Sequence, residues 1–231
     1  MVGKLVCSAS LCVVGALVLL APSAGAVVVT NSTAIGPGDA GANPSVSPVS
    51  VAGQSGTVAS VRVVLHQPGI DSPGDVDMLL VGPAGQRSIV MSDACGSGSF
   101  SNAADLTLGD GFPQILDNCG MGVAGGTFGP TDVNTGADEF PPAAPAPPYS
   151  ASFATFVGTQ PNGTWTLYTV DDTAGALMFI GGGWSLDLGI TPPSPPPAQT
   201  PTQSPTKKKK CKKAKKRAAA AKKCKKRKKR G

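Results

Sequence analysis

The residues of this chain best suited to chemistry are carboxylates. Asp71, Asp75 and Asp77 crowd a loop that leads into an apolar run. Asp93 follows the segment expected to return beside that run, and Asp171 and Asp172 open a second acidic loop. Ca²⁺ takes six to eight oxygen ligands, mostly carboxylates and carbonyls. Between positions 27 and 206 only Arg62 and Arg87 stand against fourteen acids. Carboxylates held together resist ionisation, and a bound cation relieves the repulsion. Asp71, Asp75, Asp77, Asp93, Asp171 and Asp172 are therefore the candidate metal ligands, with Ca²⁺ the expected cofactor. The competing reading is a set of solvated turn residues, because Asp is a common turn former. The spacing is not that of an EF-hand loop.

Hydrolysis is the second chemistry to weigh. A Ser/His/Asp triad needs a base to take the serine proton. His66 is the sole histidine, placed at the end of an expected strand, and no Gly-x-Ser-x-Gly elbow occurs anywhere. The sequence thus offers no catalytic residues and predicts a chain that is not an enzyme. The rival, a self-contained hydrolase, requires activity that His66→Ala abolishes. Cys95 and Cys119, both in glycine-containing loops, are the only cysteines outside the two termini. In an exported protein they are expected to form a disulfide; a two-cysteine metal site is the alternative, without a nearby histidine to complete it.

These residues need a scaffold, and the patterning supplies strands. From Pro161-Asn162-Gly163, residues Thr164 to Val170 alternate, with Trp165, Leu167 and Thr169 on one face. From Gly183, Trp184, Leu186, Leu188 and Ile190 alternate with Ser185, Asp187 and Gly189. Period-two alternation gives each strand one face to bury. Trp165 and Trp184, the only tryptophans, are the expected core anchors. Asp171 to Gly182 reads as a long hairpin connection between the two. Further strands are expected at Val27–Thr30, Val49–Ala52, Thr57–Leu65, Ser88–Ser92, Asp105–Leu108, Gly125–Phe128 and Ser152–Val157. Val76–Val81 is apolar on both faces, as a central strand covered on both sides would be. Gly109 to Ser150 is weakly patterned, and its prolines require extended loop. With 30 glycines, 22 prolines and no helical period outside the tail, the chain predicts an all-β, antiparallel, jelly-roll-like β-sandwich.

The run Asn162-Gly163-Thr164-Trp165-Thr166-Leu167-Tyr168 with Val170-Asp171-Asp172, followed by Gly182-Gly183-Trp184-Ser185-Leu186, resembles the closing signature of the P domain. That β-sandwich follows the catalytic domain of subtilisin-like proprotein convertases of the kexin and furin type. Asp75-Val76-Asp77-Met78-Leu79-Leu80-Val81-Gly82-Pro83 is similar to the same family's D-x-D strand and turn. The resemblance covers about residues 28 to 190 and implies a galactose-binding-like sandwich, here without the catalytic domain. It also implies calcium, which some bacterial P domains hold, and a protease partner supplied in trans. The proteolytic activity belongs to the neighbouring domain in that family.

The ends differ from the body. Residues 1–26 read as a secretory signal: Lys4, an apolar run from Leu11 to Ala21, then Ala24-Gly25-Ala26 as the cleavage site. Residues 27–190 form the sandwich and 191–206 a proline-rich spacer. Residues 207–231 form a tail in which 17 of the chain's 20 Lys and Arg fall between Lys207 and Arg230. The formal +6 of the whole chain therefore joins a body of −12 to a tail of +17. Blocks of like charge stay disordered and bind opposite charge. The expected partner of Lys207–Arg230 is an anionic cell-wall polymer or membrane surface, and the expected location is secreted and envelope-associated. Without aromatic interleaving no sequence-specific nucleic-acid binding is expected. Cys211 and Cys224 lie in the tail, paired with each other or between chains. Asn31-Ser32-Thr33 and Asn162-Gly163-Thr164 match glycosylation sequons. The function these features predict is a secreted, non-catalytic binding or stabilising module tethered by its tail. The alternative is an accessory domain for a subtilisin-like serine endopeptidase.

Overall fold

A computed structural model describes residues 25–38, 44–100, 104–120, 122–133, 138–175 and 177–194. The expected signal through residue 24, the spacer beyond residue 194 and the basic tail lie outside the described residues.

Among the described residues twelve strands follow one another. They are β1 (Gly25–Asn31), β2 (Ser45–Val51), β3 (Thr57–Leu65), β4 (Pro68–Ile70), β5 (Val76–Val81) and β6 (Arg87–Ser92), then β7 (Leu106–Gly109), β8 (Gly126–Phe128), β9 (Thr131–Asp132), β10 (Gly163–Asp171), β11 (Met178–Ile180) and β12 (Trp184–Thr191). Two five-stranded sheets, β1-β12-β3-β7-β8 and β2-β10-β5-β6-β9, form a sandwich, with a small β11-β4 pair beside them. The all-β sandwich expected from the patterning is the observed fold. Its sheets are mixed: β6 pairs β9 and β7 pairs β8 in parallel, while the other pairs are antiparallel.

Two expectations are corrected. Ser152–Val157 is not a strand; Phe153–Phe156 makes one 3-10 turn, capped by the Ser152 hydroxyl accepting from the Ala154 amide. The tryptophan strands are not a hairpin either. β10 and β12 belong to opposite sheets, and the connection between them carries β11, which returns to β4. Alternation fixes which face a strand buries but not the sheet it joins, so the two tryptophans face one core from opposite sides.

That core contains Trp165, Leu167, Trp184, Leu186, Leu188, Met78 and Leu80. Trp165 donates its indole N–H to the Pro161 carbonyl at 2.9 Å and packs 5.1 Å from Phe156. Trp184 donates to the Ser47 hydroxyl of the opposite sheet, also at 2.9 Å. Each ring thus buries its apolar body while its single donor is satisfied. Gly183 precedes Trp184 at φ 71, and a Cβ there would collide with the Asn31 carbonyl, so only glycine permits this entry into β12.

β5 is covered on its second face as well. Leu79, Ile89 and Tyr168 point away from the main core and form a second cluster under Phe140, Ala144, Tyr149 and Ala151. The proline-rich segment 138–152 is therefore a strap laid across the outer face of the second sheet. Tyr168 donates its hydroxyl to the Ala143 carbonyl, the Ser150 carbonyl accepts from the Ile89 amide, and the Phe140 and Tyr149 rings meet edge to face. The strap explains both the doubly apolar β5 and the long unpatterned stretch: a segment without regular structure supplies the cover.

Candidate metal centre

β5 enters from a 3-10 turn at Pro73–Asp75 and presents Asp77 near its start. β6 runs back beside it and ends at Ser92, so Asp93 arrives at the same end of the sheet. Asp93 sits at φ 50, in the left-handed region that Asp tolerates better than most residues. β9, parallel to β6, sets Asp132 opposite Ser92, and the strap begins at Asp138. Carboxylate oxygens of Asp77, Asp93 and Asp138 all lie within 4.8 Å of one another. The Ser92 hydroxyl lies in the middle, 3.1 Å from an Asp138 oxygen and 3.4 Å from Asp93.

The expected ligands separate on this geometry. Asp77 and Asp93 join the triplet. The chain enters Asp172 beside Asp75, with the Asp172 amide donating to the Asp75 carbonyl at 2.9 Å, and both carboxylates act on the cluster through their charge. Asp171 is buried at the end of β10, opposite Val76. Asp71 is exposed and stands outside the triplet, its amide bonded to the Leu177 carbonyl. Asp138 was not expected. It lies in the unpatterned stretch, and nothing local in its sequence places it against β5.

Electrostatics sets the character of the site. Asp77 is 4 % exposed. Burial pushes its carboxyl up to about 7, the Ser92 hydroxyl opposes the rise, and Asp138, Asp172 and Asp93 add to it. Burial likewise carries Asp138 up to about 6, with Asp132, Asp93 and Asp172 contributing. Asp93 is raised by burial and then by Asp172, Asp75 by burial and then by Asp172, and Asp132 by burial. Asp132 Oδ1 is buried without a hydrogen-bond partner. The nearest body cation in sequence, Arg87, starts β6 and so stands about 17 Å away at about 3.3 Å per residue.

The donors fit a hard cation. Two oxygens bound to one ion at about 2.4 Å lie at most about 4.8 Å apart, and one oxygen from each member of the triplet lies within that limit of the others. The set contains oxygen alone, without the nitrogen or sulfur that zinc favours. The buried, orphaned oxygen of Asp132 points the same way. A cavity of about 460 Å³ is lined by Glu139, the chain neighbour of Asp138, by Val170, the strand partner of Asp77, and by Phe140 and Asp172, but by none of the three carboxylates themselves.

The remaining expected positions are plainly placed. Cys95 and Cys119 are joined by a disulfide, Cα to Cα 4.8 Å, in the loop that follows Asp93. Asn162 uses both ends of its amide on the Gln54 backbone, so its side chain is committed to tying two turns together. His66 is not a solitary strand-end residue. Its Nδ1 lies 2.8 Å from Asp105 Oδ2 and its Nε2 2.7 Å from Ser185 Oγ. The sequence reading that no Ser/His/Asp arrangement is present is corrected to that extent. The three residues are far apart in sequence and meet only because β3, β7 and β12 are neighbours.

No family model matches the chain, and no curated protein matches it. Among solved structures it is similar to the serine protease of Aeromonas sobria in complex with its chaperone, at 18 % identity and a TM-score of 0.41. That alignment covers 74 % of this chain and 28 % of the other. The structure of the Aeromonas sobria serine protease gives 17 % identity, a TM-score of 0.35, and 74 % and 27 % coverage. The chain spans just over a quarter of the length of either.

Proposed function

We propose that this chain is a P-domain-like β-sandwich that binds calcium at Asp77, Asp93 and Asp138 and works as a binding or stabilising module. One observation carries the reading: a nearly fully buried carboxylate, Asp77, shares a 4.8 Å cluster with two others and no described cation reaches it. Three elements supply the ligands. Asp77 comes from β5, Asp93 from the disulfide loop after β6, and Asp138 from the head of the strap. A divalent ion held by all three would pin the strap over Leu79, Ile89 and Tyr168, coupling the cation to the burial of the second cluster. Ca²⁺ would supply charge neutralisation and crosslinking, and water would complete its coordination. The test is a thermal melt in EDTA and in Ca²⁺. Calcium should raise the melting temperature reversibly, and an unchanged melt removes the site.

The wider role follows the sequence resemblance. The module is exported and held at the envelope, with Lys207–Arg230 on an anionic wall polymer or lipid surface. A chain lacking 207–231 should then leave the envelope fraction for the medium, and equal partitioning of both forms refutes the tether. The second reading is an accessory domain for a subtilisin-like serine endopeptidase supplied by another chain. The P-domain-like motifs at Asp75–Pro83 and Asn162–Asp172 favour it. Recovery of such a protease with the bait in a calcium-dependent pull-down tests it, and its absence with calcium present counts against it.

A further inference from the structure

The calcium reading leaves one array of polar side chains unused. Thr30 of β1, Ser185 of β12, His66 directly after β3 and Asp105 directly before β7 run in the order of four neighbouring strands of the first sheet. They form a continuous hydrogen-bonded line on the face opposite Trp184. Asp105 Oδ2 lies 2.8 Å from His66 Nδ1, His66 Nε2 2.7 Å from Ser185 Oγ, and Ser185 Oγ 2.7 Å from Thr30 Oγ1. A carboxylate on Nδ1 fixes the tautomer that leaves Nε2 free to accept the serine proton. The imidazole is held in place by its own backbone. The His66 amide donates to the Gly183 carbonyl and the Gly182 amide to the His66 carbonyl, at 2.9 and 3.0 Å. A Cβ on Gly182 would lie 2.7 Å from the His66 Cβ, so glycine there permits the approach.

We propose that Ser185 is an acylable nucleophile, with His66 its general base and Asp105 a positioning residue, acting on esters with small uncharged acyl groups. In the first step Ser185 Oγ attacks the ester carbonyl carbon and its proton passes to His66 Nε2, the imidazolium being paired with Asp105. The bond to the alcohol oxygen then breaks, and that oxygen takes the proton from Nε2. This leaves acyl-Ser185 and the free alcohol. Water attacks the acyl-serine in the same way, releasing the carboxylic acid and restoring the hydroxyl. Exposure sets the substrate class. Ser185 is 5 % exposed, whereas the His66 and Asp105 side chains are 26 % and 51 % exposed. Substrate therefore arrives from the His66 side, and only a short acyl group such as acetyl reaches Oγ. The Thr30 hydroxyl, 2.7 Å from Ser185 Oγ, is the donor offered to the developing oxyanion, since β12 is paired on both sides, with β1 and β3. Loss of one oxyanion donor costs about 10²- to 10³-fold. Turnover on a single donor is accordingly slow, and the acyl-serine accumulates.

The experiment treats the full chain with p-nitrophenyl acetate at pH 8. It follows the nitrophenolate burst and maps acetyl groups by peptide mass spectrometry, which separates Ser185 from background on the tail lysines. The expected result is a stoichiometric acetyl on Ser185 in the wild-type chain and none at residue 185 in Ser185→Ala. His66→Gln should slow acylation of Ser185 by at least about 10²-fold. Asp105→Asn should slow it, and Asp105→Glu, which keeps the carboxylate on Nδ1, should recover part of the rate, which a merely structural role would not do. Acetylation confined to lysines in the folded wild-type chain, or equal Ser185 labelling in wild type and His66→Gln, overturns the proposal. The wild-type map decides even if a variant fails to fold.

Discussion

Replacing Asp77 by Asn should change stability in opposite directions with and without calcium. In metal-free protein the Asp77 carboxyl titrates at about 7 rather than the usual 3.8. The folded state therefore holds a proton that the unfolded state has released between those values. Stability falls with pH wherever the folded state binds more protons, so the metal-free protein weakens from about pH 4 to about pH 7 and stays weak above. A shift of about three pKa units corresponds to on the order of 4 kcal/mol. Asn removes the charge but brings an amide that must find acceptors beside Ser92, which halves the expected gain to about 2 kcal/mol. At pH 8 in EDTA, Asp77→Asn should therefore melt about 4–8 °C above wild type. At pH 4 the advantage should vanish, because Asp77 is then protonated in the fold. In calcium the order reverses. Wild type gains about 2.7 kcal/mol at one hundred times the dissociation constant, and the variant gains little. Differential scanning calorimetry of both proteins in EDTA and in Ca²⁺, at pH 4 and pH 8, reads all four arms. A variant less stable than wild type in EDTA at pH 8 refutes the reasoning, since that is what a neutral core hydrogen-bonding role for Asp77 requires. An equal calcium gain in both proteins refutes it as well.

Asp138→Asn should lower calcium affinity and leave the strap 138–152 open to limited proteolysis even in Ca²⁺, where wild type is protected; identical digestion patterns count against the strap's coupling to the ion. Reducing Cys95–Cys119, a separation of 24 residues, should cost about 3 kcal/mol and lower the melt by about 6–12 °C, with two thiols becoming reactive to alkylation. Reactive thiols at both positions in unreduced protein contradict that pairing. Trp184→Phe removes the donor to the Ser47 hydroxyl and part of the ring, and should cost about 1–3 kcal/mol by denaturant unfolding. A neutral result would mean that the bond between the sheets contributes nothing net.

Much of the scaffold was legible because period-two alternation is a local property. Thr57–Leu65, Val76–Val81 and the two tryptophan strands stand within a residue or two of their expected bounds. The doubly apolar β5 even announced a cover on both sides, though not that an irregular proline strap provides the second one. What the sequence could not convey is pairing at a distance. Trp165 and Trp184 lead strands with the same alternation yet join opposite sheets, the first beside β5 and the second beside β3, and nothing local distinguishes those partners. The metal cluster shows the same limit. Asp77 and Asp93 could be linked because a hairpin brings them together, whereas Asp138 arrives by a strap crossing with no periodicity to read. Ser185 sat in plain view beside Trp184 but met His66 and Asp105 only through sheet order. Asp71 shows the converse, since closeness in sequence to Asp75 and Asp77 did not bring it into the triplet.

Anomalous scattering from crystals grown in calcium tests the central claim most directly. The account predicts one strong peak at about 2.3–2.6 Å from carboxylate oxygens of Asp77, Asp93 and Asp138. A cluster holding only water, or a calcium peak bound elsewhere while these three carboxylates share protons among themselves, would contradict it.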